Sequence, residues 1–520
     1  MADPSKKLPS APPENKAVKQ NKTPIWPGLL LALALAPVLA YFLYRLHRLQ
    51  FFPGPVLWVL GLLFFLLLLV IYLLARNYRK SGRTVLAMFL ALLLGSVATV
   101  GSAFTVRLGN FFSGIFQPEL TQTVTLGLYV RADDPAQSPG DLKGEAFGLL
   151  KEADRKEAED VLKGLVRQHG FTPTIQEFDS PAGLIAALCG GSSRVILIGD
   201  FYLEAMEDLV TVPLRALDMY SVKIQVAAAP DKGEHSPDDP AEAADPGQDL
   251  RPQGSVLKAG GQAFAVYISG IDSRRGLVSR SLSDVNIIAV INPTTRQAAL
   301  ISTPRDYYIN TPISGSAKDK LTHAGLYGVD VSRQTMESLY EMEIDYVFRL
   351  DFTGFMRIVD ALGGIDVESD ADFYAEGYHF VKGTNHLDGA AALAFVRERK
   401  AFGGSNQSRD SHQMAVIQAV FKKLLSPQML VRFNEILDAL EGAFESTIPY
   451  ELMASLVRQE LAGGKDWNLI NYPVTGQDVN GYTSFSHPSP DWVTLPDEAS
   501  IRAAKQLMWE VYYKETATAP

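Results

Sequence analysis

One cysteine in 520 residues, Cys189, rules out an intrachain disulfide. In an exported chain, that absence points to a bacterial surface rather than a eukaryotic secretory route. Basic residues are short too. The 48 Lys and Arg stand against 58 Asp and Glu, a formal net charge of −10, which excludes the basic footprint of a nucleic-acid binder. No small-residue cleavage site follows the first long apolar run, so that run is not a removable signal peptide. The tail, residues 1–23, lacks tyrosine, histidine and any nucleotide motif, and so has little to signal with. Cys189 ends the apolar run Leu184–Cys189 and reads as a buried small hydrophobe. No internal repeat is evident.

What the chain does have is apolar residues concentrated in its first 105 positions. Ile25–Tyr44, Pro55–Ala75 and Thr84–Phe104 each hold about the ~20 apolar residues needed to cross a bilayer, with no charge in their interiors. Lys6, Lys7, Lys16, Lys19 and Lys22 precede the first run, and Arg76, Arg79, Lys80 and Arg83 join the second to the third. Only Arg45 and Arg48 join the first to the second. By the positive-inside rule the N-terminus is cytoplasmic, and three crossings put everything after Phe104 outside. The expected organisation is a cytoplasmic tail (1–23), three transmembrane helices (24–105), an extracellular α/β accessory domain (118–228), a Pro-rich acidic linker (229–258) and an α-β-α sandwich (259–515).

In the accessory segment Thr123–Val130 alternates like a strand, and Glu145–Gly170 reads as an amphipathic helix through Leu149, Leu150, Val161, Leu162 and Leu165. Ile175–Phe178 and Val195–Gly199 are expected strands, with helices at Ala182–Leu188 and Glu204–Val210. No catalytic constellation is found there. Ala229–Gly254, with five prolines among acids and glycines, has linker composition. Beyond it, helices are expected at Ser332–Tyr340, Thr353–Leu362, Gln413–Leu425 and Phe433–Phe444. Strands fall at Asp345–Leu350 and Ile365–Val367, and Asp388 suits an N-cap for Ala390–Phe395. Alternating helices and strands imply a layered α/β sandwich.

Three consecutive β-branched runs carry the chemistry: Val266–Arg275, Ser283–Asn292 and Ala298–Ile309. In the second, Val285, Ile287, Ala289 and Ile291 share a face. If neighbouring runs pair antiparallel, Asp272, Asp284 and Arg305 meet at one end of a sheet. Two carboxylates and a guanidinium are what a metal-bound phosphate needs. Further on, Arg397 and Arg399 flank Glu398; in extended chain they share a face and aim at one ligand, and arginine suits bidentate phosphate contacts.

SGIDSR, SDVNIIAVINPTT, TPRDYYI, DKLTHAGLYG, DYVFRLDFTGFMRIVDALGGIDV and HLDGAAALAFVRER follow one another over roughly Ala259–Leu425. In that order they resemble the LytR-CpsA-Psr (LCP) family, and three spans with an extra exported domain look most like its CpsA-type members. The resemblance implies a transferase with an α-β-α fold that holds a polyprenyl chain in an apolar pocket and the pyrophosphate at its mouth. It implies Mg²⁺-dependent movement of a glycopolymer, capsular polysaccharide or teichoic-acid-like, from an undecaprenyl-pyrophosphate carrier onto peptidoglycan. Other capsule-assembly proteins are expected partners. Asp272 and Asp284 then resemble the metal-linked carboxylates, and Arg305, Arg397 and Arg399 the pyrophosphate-binding arginines. Gln413 falls where the family often has a site glutamine, with Arg409 before it. Two departures stand out. Leu282 occupies a position where many members have arginine, leaving Arg280 two residues away. Gly403-Gly404-Ser405-Asn406 carries no acid before Asp410, one carboxylate fewer for a metal. From the residues alone, a polyprenyl-pyrophosphate hydrolase and a non-catalytic regulator or scaffold of capsule assembly stay open as alternatives.

Overall fold

A computed structural model describes residues 26–76, 81–115, 119–151, 154–227, 262–271, 280–312, 318–398, 406–424, 442–461, 467–483 and 490–514. The expected linker and most of the expected helix Phe433–Phe444 lie outside these residues. The chain divides into two compact units, residues 1–109 and 110–520.

The first unit is built from α1 (Trp26–Arg48), α2 (Gly54–Ala75) and α3 (Ser81–Ile115). Within them Gly28–Arg48, Gly54–Ala75 and Gly82–Asn110 are long and apolar enough to cross a membrane. Leu39, Ile71, Ala87 and Ala98 form the contact between helices, whereas Trp58, Leu92 and Val100 stay exposed. An apolar surface of this extent fits lipid rather than water.

The second unit starts with β1 (Glu119–Arg131), β2 (Ala146–Leu150), α4 (Arg155–His169), β3 (Thr174–Phe178), α5 (Pro181–Cys189), β4 (Val195–Gly199), α6 (Asp200–Ala205) and β5 (Leu214–Ala227). The strands form a five-stranded mixed sheet in the order β3-β2-β4-β1-β5. The expected helix Glu145–Gly170 is corrected here: Ala146–Leu150 form β2, an interior strand, and the helix begins only at Arg155. Phe147, Leu149 and Leu150 are buried, and a Cβ on Gly148 would come within 2.8 Å of the Leu184 side chain. The apolar positions on either side of Asp154, which is left-handed at φ 55, imitate one continuous helical stripe. Glu204–Val210 is likewise not one helix; α6 ends at Ala205 and a short 3₁₀ turn covers Glu207–Leu209. The long strand β5, absent from the sequence expectations, pairs along the whole of β1.

After the linker come β6 (Phe264–Ile271), β7 (Ser283–Asn292), β8 (Gln297–Ser302), β9 (Tyr308–Asn310), β10 (Lys318–Lys320), α7 (Leu321–Ala324), α8 (Val329–Tyr340), β11 (Tyr346–Asp351) and α9 (Phe352–Ala361). They are followed by β12 (Ile365–Ser369), β13 (Phe373–Ala375), β14 (Tyr378–Phe380), β15 (Gly383–Leu387), α10 (Gly389–Arg397), α11 (Asn406–Leu424), β16 (Phe444–Ser446), a helix at Tyr450–Leu461, β17 (Asn468–Pro473), β18 (Gly476–Gly481), β19 (Asp491–Pro496) and a C-terminal helix, Glu498–Tyr513. The central sheet has six strands in the order β16-β11-β6-β7-β8-β17.

Both faces of that sheet are covered, giving the expected α-β-α sandwich. Ile287, Ala289 and Leu300 join one core with Val359 of α9, Leu362 just past its end, and Ala392 and Phe395 of α10. Ile288, Val290 and Ile301 point the other way, into a core with Met336 and Tyr340 of α8 and Met508 of the C-terminal helix. Burial on two faces explains why these strands read as near-continuous apolar runs.

Candidate functional site

The topology gathers strand ends at one edge. β6 and β7 pair antiparallel from Phe264↔Ile291 to Ile271↔Ser283, and β7 pairs antiparallel with β8. β11 runs parallel to β6, and β17 parallel to β8. The carboxyl ends of β6, β8, β11 and β17 therefore finish where β7 begins. In open α/β sheets this is the edge where ligands bind.

Asp284 is the second residue of β7 and sits on that edge. Arg305, three residues past the end of β8, forms an ion pair with it through Nη1 and lies 3.6 Å from Asp306 through Nε. The expected meeting of Asp284 and Arg305 is thus present, and so is the alternative partner Asp306. Asp272 directly follows the last residue of β6 but falls outside the described residues, as do Arg399 and the side chain of Arg409.

Arg397 reaches the same edge by another route. Its guanidinium lies 5.4 Å from the centroid of the Phe352 ring. Phe352 follows Asp351, which pairs with Ile271 at the end of β6. Arg397 also contacts Glu376, Nη1 to Oε1, at 3.6 Å. The extended backbone expected around Arg397 is corrected: it is the last residue of α10, whose N-cap Asp388 accepts from the Ala391 amide at 2.8 Å. Glycine and alanine positions let α10 approach α9 closely, so the helix runs through Arg397 before the chain extends at Glu398. Gln413 is buried on α11, the helix beside α10 and β12.

Arg280 is not a site arginine. Its guanidinium, 8% exposed, is ion-paired with Asp154 at the start of α4 and lies 5.6 Å from the centroid of the Phe201 ring. Burial pushes its pKa down to about 10, so it remains charged at neutral pH. Leu282 and Tyr327 pack on the five-stranded sheet's core, and Leu326 belongs to it. The segment leading into Asp284 is therefore absorbed by the accessory sheet. Gly325 permits this: a Cβ there would meet the Ser281 carbonyl oxygen at 2.3 Å.

Beneath the edge lies a buried polar network that the sequence reading missed. Tyr267 donates to the Asn286 Oδ1 at 2.6 Å, the Ser269 and Ser283 hydroxyls are 2.8 Å apart, and Asn286 Nδ2 donates to the Ser283 carbonyl at 2.9 Å. The Thr303 amide donates to the Asn286 carbonyl at 2.9 Å. These bonds fix the strand ends that carry Asp284 and Arg305. The Arg305 carbonyl accepts from the Thr322 amide at 2.8 Å. In the same segment Lys320 Nζ lies 2.8 Å from Asp491, and His323 Nδ1 lies 2.6 Å from Asp319 Oδ1. The only sequence signal for these supports was their presence in DKLTHAGLYG. Arg349, 2% exposed on the face away from α9, pairs with Glu445 at 3.3 Å; burial lowers its pKa.

Among the described residues no three His, Cys, Asp or Glu side chains cluster as a metal cage. Mg²⁺ needs no such cage, because it commonly takes one or two carboxylates and completes its shell with phosphate oxygens and water. Asp284, with its oxygens at the edge, fits that donor set.

A model of the LytR_cpsA_psr family matches residues 219–499, just over half of the chain. The polyisoprenyl-teichoic acid–peptidoglycan teichoic acid transferase TagU of Oceanobacillus iheyensis is 31% identical over 226 residues, 42% of this chain and 69% of that protein. The TagU of Bacillus mycoides is 36% identical over 194 residues, 37% of this chain and 62% of that protein. This chain thus spans a little under two thirds of the second relative's length. The solved structure of B. subtilis TagV aligns with 49% of this chain and 99% of its own, at 23% identity and a TM-score of 0.42. On the extent of the family-model match and the similarity to TagU, the chain belongs to the LytR-CpsA-Psr family.

Proposed function

We propose that this protein is a membrane-anchored transferase that moves a glycopolymer from a polyprenyl-pyrophosphate carrier, undecaprenyl in a bacterium, onto peptidoglycan. The observation that carries the reading is the edge itself, where Asp284 and Arg305 pair and Arg397 stands on Phe352. The apolar face beside it supports a place for the lipid. Ile268, Val285, Phe348 and Leu350 lie on interior strands under a helical layer, yet each keeps solvent-accessible surface. Close packing fills such positions in an ordinary core. Val285 and Leu350 sit nearest the charged edge, so a lipid tail in that space would put its phosphates beside the arginines. Val359 and Leu362 are plain core; Phe355 faces the partly open side.

Arg305 and Arg397 would bind the pyrophosphate and stabilise charge developing on the departing lipid phosphate, which is where electrostatic catalysis acts. The acceptor hydroxyl oxygen forms a bond to the phosphorus that carries the polymer. The bond to the bridging oxygen breaks, the lipid monophosphate departs, and a carboxylate of Asp284 or Asp272 takes the hydroxyl proton. Mg²⁺ held by Asp284 with Asp272 would supply further charge neutralisation at the phosphates. The Lys and Arg asymmetry around α1–α3 supports a cytoplasmic N-terminus with the edge outside, next to both substrates. The polymer is a capsular polysaccharide or a teichoic-acid-like chain, the latter being the cargo named for the TagU relatives.

The test uses the full chain in detergent with a polyprenyl-pyrophosphate-linked oligosaccharide and soluble peptidoglycan strands. Lipid monophosphate release that requires acceptor and Mg²⁺, with label appearing on the wall strands, supports transfer. Release independent of acceptor makes the protein a hydrolase, and no release in either case removes the enzymatic reading.

A further inference from the structure

The hairpin β13–β14 carries aromatic side chains that no core uses. Register pairs Phe373 with Phe380 and Tyr374 with His379. Phe373 and Phe380 face inward and are buried. On the opposite face Tyr374 is 71% exposed and its ring stacks on His379, centroids 4.3 Å apart and planes 9° from parallel. Val381 is exposed as well, whereas Tyr378 pairs with Ala375 on the face of Phe380. A rigid, outward pair of rings on a short hairpin is costly to leave in water and suits a ligand with one apolar face and polar edges.

The hairpin is tied to the candidate site. Glu376, at its tip and left-handed at φ 45, makes the 3.6 Å contact with Arg397. It is also tied to the pair β12–β15, since Asn385 accepts from the Val381 amide at 2.9 Å and donates to the Val381 carbonyl at 2.7 Å. That pair shows a polar outer face, with His386 against Asp366 and Thr384 against Glu368.

Charge narrows the ligand. Asp366, Glu368, Asp370, Asp372 and Glu376 are exposed in this region against Lys382 as its sole lysine. Such a surface repels an anionic lipid headgroup layer and an anionic polymer. It tolerates uncharged sugars, whose hydroxyls donate to carboxylates and whose C–H faces lie on aromatic rings.

We propose that the outer face of β13–β14, with β12–β15 beside it, is a stacking subsite for uncharged hexosamine rings of the acceptor glycan, held next to Arg397 through Glu376. The inference rests on the transfer reading, which requires an acceptor sugar hydroxyl to approach the phosphate bound at Arg397. Tyr374 is the ring on which a sugar of the wall strand lies, and the acidic rim selects against a polyanion.

The experiment titrates the full chain in detergent with an uncharged N-acetylglucosamine tetramer, read by calorimetry. Saturable binding is expected, about tenfold weaker in Tyr374→Ala and retained in Tyr374→Phe. In the transfer assay Tyr374→Ala raises the acceptor KM more than it lowers kcat. Equal affinity in wild type and Tyr374→Ala, absence of binding in wild type, or equal binding of a polyol-phosphate chain overturns the proposal. So does quenching of a Tyr374→Trp reporter by spin-labelled lipid in a nanodisc, which would assign the hairpin to the bilayer. Tetramer binding without transfer would leave the subsite standing and remove the transfer reading. Transfer without tetramer binding would do the reverse.

Discussion

Asp154→Asn isolates the contact between the accessory sheet and the segment that leads into Asp284. Asn adopts the left-handed conformation of residue 154 about as readily as Asp does, so the backbone contribution is held constant and only the charge is lost. Arg280 then stays buried against Phe201 with no carboxylate among the described residues beside it. Breaking a buried ion pair from one side costs about 3–5 kcal/mol. The remaining Asn carbonyl can accept from the guanidinium, so about 3 kcal/mol is expected. That is on the order of a hundredfold in a local opening equilibrium. Hydrogen exchange of the full chain, read at amides of β1, β2 and β4, measures it. Arg280→Met keeps an apolar stem over Phe201 but leaves the buried Asp154 carboxylate without its cation, and should cost about as much. The double variant buries neither charge and should be more stable than either single variant, which gives a large coupling in the cycle. If Asp154→Asn exchanges within threefold of wild type, or if the two substitutions simply add, the ion pair does not hold this interface.

Arg305→Ala is expected to lower transfer by about 10²–10³-fold, the range for removing one donor to developing charge. Fold is retained, because Arg305 is partly exposed and Lys320 still lies 3.8 Å from Asp306; wild-type turnover in that variant would refute the site. His412 lies against Phe373 and Phe395, ring centroids 5.3 and 4.5 Å away, and burial lowers its pKa below the ordinary 6.5. A base whose folded pKa is depressed is protonated first in the unfolded chain, so stability falls as pH drops below about 6.5. Melting curves across pH 5–7 should show that loss, and His412→Phe should flatten it.

The meeting of Asp284 with Arg305 was legible because three consecutive strand-length runs, if paired antiparallel, bring those positions to one end of the sheet, and β6, β7 and β8 do pair so. Helix caps were legible for the same local reason, as at Asp388. Local patterns also misled. Leu149 and Leu150 continue the helical spacing of Val161 and Leu165, and nothing nearby reveals that Leu184, far along the chain, needs the space a side chain at residue 148 would fill. Arg397 reads as extended beside Glu398 only until α10 is known to run through it. For the proposed roles of Asp272, Arg399 and Arg409 the sequence resemblance is still the support.

What local patterns do not carry is the set of long-range contacts that make the edge a site. Asp154 holds Arg280 against Phe201 in the accessory domain. Lys320 joins the segment behind Arg305 to Asp491 at the start of β19, and Glu376 brings the hairpin to Arg397. Each links an element outside the central sheet to residues at or leading into its charged edge, and each uses a residue type that reads as an ordinary surface charge in sequence. The departure at Leu282 follows from the first of them. An arginine there would have to leave the core against which Leu282 packs with Tyr327 beside Leu326, so in this chain that position is taken up by the accessory sheet. The proposed chemistry then falls on Arg305 and Arg397, with Arg399, rather than on a wider ring of arginines. Loosening the accessory sheet should therefore lower transfer through the position of Asp284, without removing any group that touches substrate.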